Sequence, residues 1–315
     1  MSRCLVIINP VSGGGAARRY ALDLQWKLST LFETIEVKFT TGEGDATRFA
    51  KDACERGFDA VFCMGGDGTV NETVNGIAQG GFKSTFGFIP VGTVNDMSRA
   101  LGINQNPSQA IKRIDINETR TIDIGRCNDK YFCNNIAAGV IPKVVEEVTP
   151  KEKSILGPLA YFLRAGQALF TTKDYTYRIK TENDDFICKS PLVLALLTNV
   201  VSSFERFMPE ASVDDGYMRI IIFKEYFILD ILSVIPLIIS GAIYNSRYTT
   251  TLTVSKASIE LLSNVDDLAT NMDGDPGPSM PVDIEVLPRV LKVFAPSKHK
   301  KKKALNLPKL PHIDL

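Results

Sequence analysis

Three times within its first hundred residues, this chain ends a short apolar run in a turn of Gly, Asn, Thr and Asp, then resumes at helical spacing. The middle instance is the plainest. Asp59-Ala60-Val61-Phe62-Cys63 is apolar enough for a buried strand. Met64-Gly65-Gly66-Asp67-Gly68-Thr69 is the turn, and Val70, Val74, Ile77 and Ala78 recur as one helix face. Cys4 to Ile8 similarly precede Asn9-Pro10-Val11-Ser12-Gly13-Gly14-Gly15, with Tyr20, Leu24, Leu28 and Leu31 beyond. Phe86 to Ile89 precede Pro90-Val91-Gly92-Thr93-Val94-Asn95-Asp96, with a helix through Met97 and Leu101 that ends near Gly102. A strand at Ile35 to Phe39 and a helix through Phe49 and Ala53, with Asp45 or Thr47 as its cap, complete the alternation.

Strands alternating with helices predict an α/β fold with a doubly wound parallel sheet. In such sheets ligands sit outside the carboxyl ends of the strands, so all three turns fall on one edge. Glycine lets the backbone approach a bulky anion, and a helix start offers unpaired N–H groups to phosphate. Asp67 cannot favour phosphate alone, and points to a metal ion or a hydroxyl to be deprotonated. One such turn is equally well read as a tight strand–helix connection without a ligand. Three together favour a nucleotide or polyphosphate site.

After about residue 120 the rhythm changes. Thr121 to Arg126 and Lys130 to Cys133 read as hairpin strands around Asn128-Asp129. Further strands are expected at 175–181, 186–189, 192–198, 218–223, 250–254, 258–262 and 291–294, and helices near 156–170 and 226–245. This predicts an antiparallel β-sandwich as a second domain. The expected division is residues 1–120, residues 121–296, and a basic tail at 297–315.

Composition excludes several functions. The 315 residues carry no net charge, but residues 298–315 hold six lysines and one aspartate, leaving a mildly acidic body. No basic stripe runs through that body, so nucleic acid is not the expected partner. The six cysteines form no C-x-x-C pair and read as reduced core thiols of a cytoplasmic protein. His299 and His312, the only histidines, lie in the tail, so a general base in the body is expected to be a carboxylate. The longest apolar run, Tyr226 to Ile243, contains Asp230 and Pro236 and reads as a core or amphipathic helix, not a membrane span.

Taken together, the turns resemble a known family. Asn9-Pro10-x-Ser12-Gly13, Gly44-Asp45-Ala46-Thr47, Gly65-Gly66-Asp67-Gly68-Thr69-Val70-Asn71-Glu72 and Pro90-x-Gly92-Thr93-x-Asn95-Asp96 are similar, in order, to motifs of the soluble bacterial diacylglycerol kinases. Those enzymes are related to sphingosine kinases and, more distantly, to NAD kinases. Gly157-Pro158-Leu159-Ala160-Tyr161, Thr198-Asn199, Asp214-Asp215-Gly216 and Asn271-Met272-Asp273-Gly274 match as well, so the resemblance reaches to about residue 296.

The resemblance implies a nucleotide domain, a β-sandwich domain, and an active site in the cleft between them. It implies transfer of the γ-phosphate of ATP to a lipid hydroxyl, with diacylglycerol giving phosphatidic acid. The ATP contacts it implies are Asn9, Pro10, Val11, Ser12, Gly13, Thr40, Gly66, Asp67, Gly68, Thr69, Val70, Asn71, Glu72 and Thr93. A structural magnesium site carries over to Ser212, Asp215 and Tyr217, the first and last through backbone carbonyls. Catalytic magnesium is expected on Asp67 and Asp96. The family's base is the glutamate of an Asp-Gly-Glu triplet. Here the triplet is Asp273-Gly274-Asp275, so the role carries to Asp275, with Asp273 as the substitute.

Plain structural roles stand beside these. Asp96 reads as a helix cap, Asp215 as a turn residue, and Asp275 as part of a turn-forming Asp-Gly-Asp-Pro-Gly-Pro stretch. The partner expected is a lipid reached by peripheral contact with the inner membrane face, which Lys298 to Lys303 would favour electrostatically, and a homodimer is the assembly considered. The competing functions are a soluble NAD-kinase-like kinase and a nucleotide-binding regulator without catalysis.

Overall fold

The computed structural model describes residues 2–139, 175–201, 203, 205, 207–224, 231–263 and 268–297. The expected helix at 156–170, the first part of the 226–245 helix and the lysine-rich tail lie outside the described residues.

The alternating half forms as expected. β1 (Arg3–Ile8), β2 (Thr34–Phe39), β3 (Ala60–Gly65) and β4 (Thr85–Pro90) pair in parallel, in the order β2-β1-β3-β4. Helices cover both faces. Cys4, Val6 and Ile8 of β1 pack with Leu24 and Leu28 of α1 (Ser12–Ser29). Leu5 and Ile7 point the other way, onto α2 (Asp45–Glu55) and α3 (Asp67–Gln79). This period-2 alternation makes the sheet doubly wound. Leu24 and Leu28 are fully buried, each contributing about 1.5–3 kcal/mol relative to exposure. α2 and α3 sit so close that a Cβ on Gly76 would lie 2.3 Å from the Thr47 carbonyl. Two short helices follow, α4 (Asp96–Leu101) and α5 (Pro107–Lys112).

β5 (Thr119–Cys127) and β6 (Lys130–Phe132) form the expected hairpin, and β7 (Asn135–Gly139) follows. Beyond the undescribed stretch come β8 (Tyr175–Thr181), β9 (Asp185–Ser190), β10 (Leu192–Leu196) and β11 (Met218–Phe223). The remaining strands are β12 (Thr249–Val254), β13 (Lys256–Leu261), β14 (Ala269–Met272), β15 (Asp275–Ser279) and β16 (Val282–Phe294). Six of these form an antiparallel sheet in the order β12-β11-β10-β7-β14-β15. The others extend the first sheet to ten strands, which runs on as β4-β16-β13-β8-β9, with β5 on β16 and β6 on β5. The sandwich core is shared between the sheets: Tyr177, Ile179, Ile259 and Ile284 of one meet Val193, Ala195, Ile220 and Ile222 of the other.

β16 joins the two halves. Val282 to Glu285 pair with β13, residues on both sides of a register shift pair with β5, and Val293 lies opposite Phe86 of β4. The shift falls between Leu287 and Leu291, where Arg289 has φ +52° and its N–H reaches the Asp123 carboxylate at 2.8 Å.

Some elements differ from expectation. β14 and β15 were not legible, because β15 reads Asp-Pro-Gly-Pro-Ser, and such a strand survives only at a sheet edge, where this one lies. Pro288 hides the unity of β16 in the same way. The N-cap of α2 is Gly44, in the left-handed region, with no side-chain cap; Asp45 instead accepts the Thr41 and Gly42 amides upstream. All six cysteines are free, five are buried, and burial pushes the Cys63 and Cys127 thiols up to about 12. Among the described residues no helix is long and apolar enough to cross a membrane.

Candidate functional site

The three glycine-bearing turns meet at the carboxyl ends of β1, β3 and β4, in main-chain contact. Gly13 has φ +61°, and a Cβ there would lie 2.2 Å from the Val91 carbonyl oxygen. A Cβ on Gly92 would lie 2.7 Å from the Gly66 Cα. No other residue permits either approach without displacing backbone. Asn9 ties the first turn to the second. Its N–H donates to the Met64 carbonyl (3.0 Å), its Nδ2 donates to Thr69 Oγ1 (3.1 Å), and its Oδ1 accepts the Val11 amide (3.2 Å). Thr40 joins the same edge, its N–H bonded to the Ile8 carbonyl at 2.9 Å. Val11 and Thr93 are exposed there, and Pro10 and Ser12 half-buried. α3 begins at the extended Gly66 with no side-chain cap, so its first amides point outward unsatisfied by side chains. Val70 turns into the core instead.

The aspartates fasten these turns to the rest of the molecule. Asp67, at the start of α3, accepts the amides of Asn95 (2.8 Å) and Asp96 (2.9 Å), which holds the 90–96 turn over the end of β3. Asn95 is left-handed, a conformation that Asn tolerates. A carboxylate offers about four lone-pair positions, so Asp67 keeps oxygen capacity at a half-buried position. Asp96 is buried and accepts from Asn134 Nδ2 (3.1 Å) and the Ser203 amide (2.7 Å), both from the antiparallel half.

Opposite stands the hairpin of β14 and β15. Asp273 (φ +52°) and Gly274 (φ +99°) are its two-residue turn, the geometry that Asp-Gly favours. The Asp273 carboxylate accepts four hydrogen bonds, from Asn71 Nδ2 (2.8 Å) and the amides of Cys133 (2.6 Å), Asn134 (2.9 Å) and Asn135 (2.8 Å). Burial pushes this carboxyl up, against the donors that favour its charge. Asp275, two residues on, has a different environment. It is exposed, and a Cβ on Gly68 would lie 3.2 Å from its Oδ2. Its carboxyl is raised above the ordinary range by desolvation first, then by the negative charges of Glu72, Glu43 and Asp67. Glu72 itself is engaged with α2, its Oε2 accepting the Ala46 amide at 3.1 Å.

Ser212, Asp215 and Tyr217 lie together in the loop before β11. Asp215 Oδ1 accepts the Tyr217 amide (3.0 Å), and Oδ2 accepts both the Ser212 amide (3.1 Å) and Arg219 Nη1 (2.6 Å). Arg219 Nη1 also donates to the Tyr217 carbonyl at 3.2 Å. These oxygens do not fit a magnesium ion, because a guanidinium already occupies the space between them. Asp67, by contrast, keeps oxygen capacity facing the glycine-lined edge and fits one.

Several residues with a part in the site carried no signal in the sequence. Asn134 bridges Asp96 to Thr198, whose Oγ1 donates to Asn134 Oδ1. Asn75 clamps the backbone of Tyr131 through its Nδ2 (2.8 Å) and Oδ1 (2.9 Å). Asp123 holds the Gly216 amide at 2.6 Å. Each acts across tens of residues of chain, and only the Thr198-Asn199 pair belonged to a recognised motif.

Comparison with known proteins gives the family and the fold. Residues 3–127 match the family described as the diacylglycerol kinase catalytic domain, and residues 134–295 the YegS C-terminal NAD kinase beta sandwich-like domain. A "putative lipid kinase" of Streptococcus pneumoniae is 36% identical over 301 residues, covering 95% of this chain and 99% of that protein. A diacylglycerol kinase of Staphylococcus aureus is 34% identical over 295 residues, covering 94% and 93%. The crystal structure of a "putative diacylglycerol kinase" from Bacillus anthracis has the same fold, with a TM-score of 0.80 at 24% identity, over 93% of this chain and 95% of that one. The chain belongs to the diacylglycerol kinase family of lipid kinases.

Proposed function

We propose that this protein transfers the γ-phosphate of ATP to the hydroxyl of diacylglycerol, giving phosphatidic acid, with Asp275 as the general base. The observation that carries the reading is the position of Asp275. Among the described residues no hydrogen-bond donor holds its carboxylate, which stands beside Gly68 and the uncapped start of α3, above an edge lined by main-chain amides. Asp273 is unsuited to the task, since four donors already hold it.

In this reading, residues 1–120 hold the nucleotide and residues 121–296 present the lipid, with the reaction in the cleft between. The Asn9–Gly13 turn, Thr40, Thr93 and the first turn of α3 receive the phosphates, through N–H groups and the positive end of the helix. Asp67 keeps the 90–96 turn in place and, with Asp96 behind it, would hold magnesium, which when bound offsets phosphate charge. Asp275 accepts the proton of the lipid hydroxyl as the oxygen attacks the γ-phosphorus and the bond to the β-phosphate oxygen breaks. A raised pKa suits that task, because a stronger base takes the proton more readily. The lipid is reached by peripheral contact with the membrane.

Labelled ATP with mixed micelles of detergent and diacylglycerol tests the reading. Lipid-dependent label transfer that is lost in Asp275→Asn, with nucleotide binding kept, is the expected result. Transfer only to NAD, or no transfer to any acceptor, would select one of the two competing functions.

A further inference from the structure

The loop before β11 would be a cation site by its oxygens, yet it already contains a cation. Three carboxylates gather there, Asp123, Asp214 and Asp215; the guanidinium groups of Arg219 and Arg120 face two of them, and that of Arg289 reaches a main-chain carbonyl of the same loop. Arg219 Nη1 lies 2.6 Å from Asp215 Oδ2 and 3.2 Å from the Tyr217 carbonyl, and its Nη2 lies 3.5 Å from the Glu210 carbonyl. Arg120 Nη2 lies 3.7 Å from Asp214 Oδ2. Arg289 donates its N–H to Asp123 and its Nε to the Asp214 carbonyl. The side chains of Arg219 and Asp215 are only 12% and 24% exposed, so solvent screens their attraction weakly.

We infer that Arg219 is the built-in counter-ion of this loop, so that the loop folds and holds its shape without a divalent ion. Two observations carry the inference. Asp215 Oδ2 has both lone-pair positions filled, by Arg219 and by the Ser212 amide. Magnesium demands near-octahedral oxygens at about 2.0–2.1 Å, and a guanidinium in contact with two of the three intended ligands repels a second cation from that space. Arg219 can reach the loop because it sits one residue into β11, between Leu196 and Thr253 in the pairing, and four residues from Asp215. The inference stands apart from the proposed catalysis, which uses none of these residues.

The test is thermal unfolding of the full chain without nucleotide, in magnesium chloride or in EDTA. The wild type should melt at the same temperature in both. Arg219→Gln should melt lower in EDTA and recover in magnesium, because the freed Asp215 then takes the metal. Arg219→Lys keeps a cation and should remain insensitive. A wild-type midpoint that falls in EDTA, with the fall lost in Asp215→Asn, would overturn the inference. So would calorimetric magnesium binding to the wild type that Asp215→Asn abolishes. This last measurement stands even if Arg219→Gln does not fold.

Discussion

The parallel and antiparallel halves build their share of the cleft by opposite means. The parallel half works with main chain: Gly13 against Val91, Gly66 against Gly92, and the bare start of α3. The antiparallel half works with carboxylates carried on one hairpin, Asp273 in its turn and Asp275 at the start of β15. The contrast sharpens within the second half. Asp273 and Asp275 are two residues apart, yet four donors immobilise one while the other faces the glycine edge. On the proposed mechanism, environment would give one carboxylate a structural role and the other a chemical one.

Substitutions can break that contrast. Asp275→Asn should lower kcat by about 10²–10⁴-fold, the usual loss of a general base, with denaturant midpoints little changed; a large loss of stability instead would make Asp275 structural. Asp273→Ala should do the reverse. It strands three amides and an Asn side chain, each costing about 1–3 kcal/mol when unsatisfied, so urea unfolding should show a loss of about 3 kcal/mol or more. Gly13→Ala probes the main-chain half. Its φ of +61° and the 2.2 Å approach to Val91 should cost about 1–3 kcal/mol in strain and raise KM for ATP, read from initial rates. The pH dependence is a gentler probe. Asp275 must be deprotonated to accept a proton, and desolvation and neighbouring carboxylates raise its pKa. The rate should therefore fall on acidification through a limb placed above the ordinary Asp value of about 3.9. Arg56→Ala is the smallest expected effect. This exposed partner of Glu36 and Asp52 should leave the urea midpoint nearly unchanged, because solvent screens such surface pairs.

How far the sequence reveals each half follows from the same contrast. A site made of backbone announces itself, because only glycine permits the approaches at 13 and 92. All four parallel strands and three covering helices were therefore readable, and so were the turns that line the cleft. The antiparallel half is assembled across long stretches of chain. Nothing near Asp273 in the sequence foretells that Cys133, Asn134 and Asn135 will offer it their amides, so its role and that of Asp275 could not be separated. Arg219 was missed for a similar reason, since an arginine opening an apolar strand looks like surface. β15 and the middle of β16 were hidden by prolines that an edge position and a register shift accommodate.

β16 also bears on how the chain is made. It sits in the middle of the ten-stranded sheet, between β4 and β13, yet its residues leave the ribosome after those of every other strand. Until then β4 has an open edge, and β5 and β13 lack the partner that joins them to it. The parallel half can nucleate early from local contacts, but closing the sheet must await a pairing some two hundred residues in separation, between Val293 and Phe86. Long-range pairings of this kind slow folding. A nascent chain arrested short of residue 282 would expose an unprotected strand edge, the kind of surface that chaperones cover and that aggregates through β-pairing.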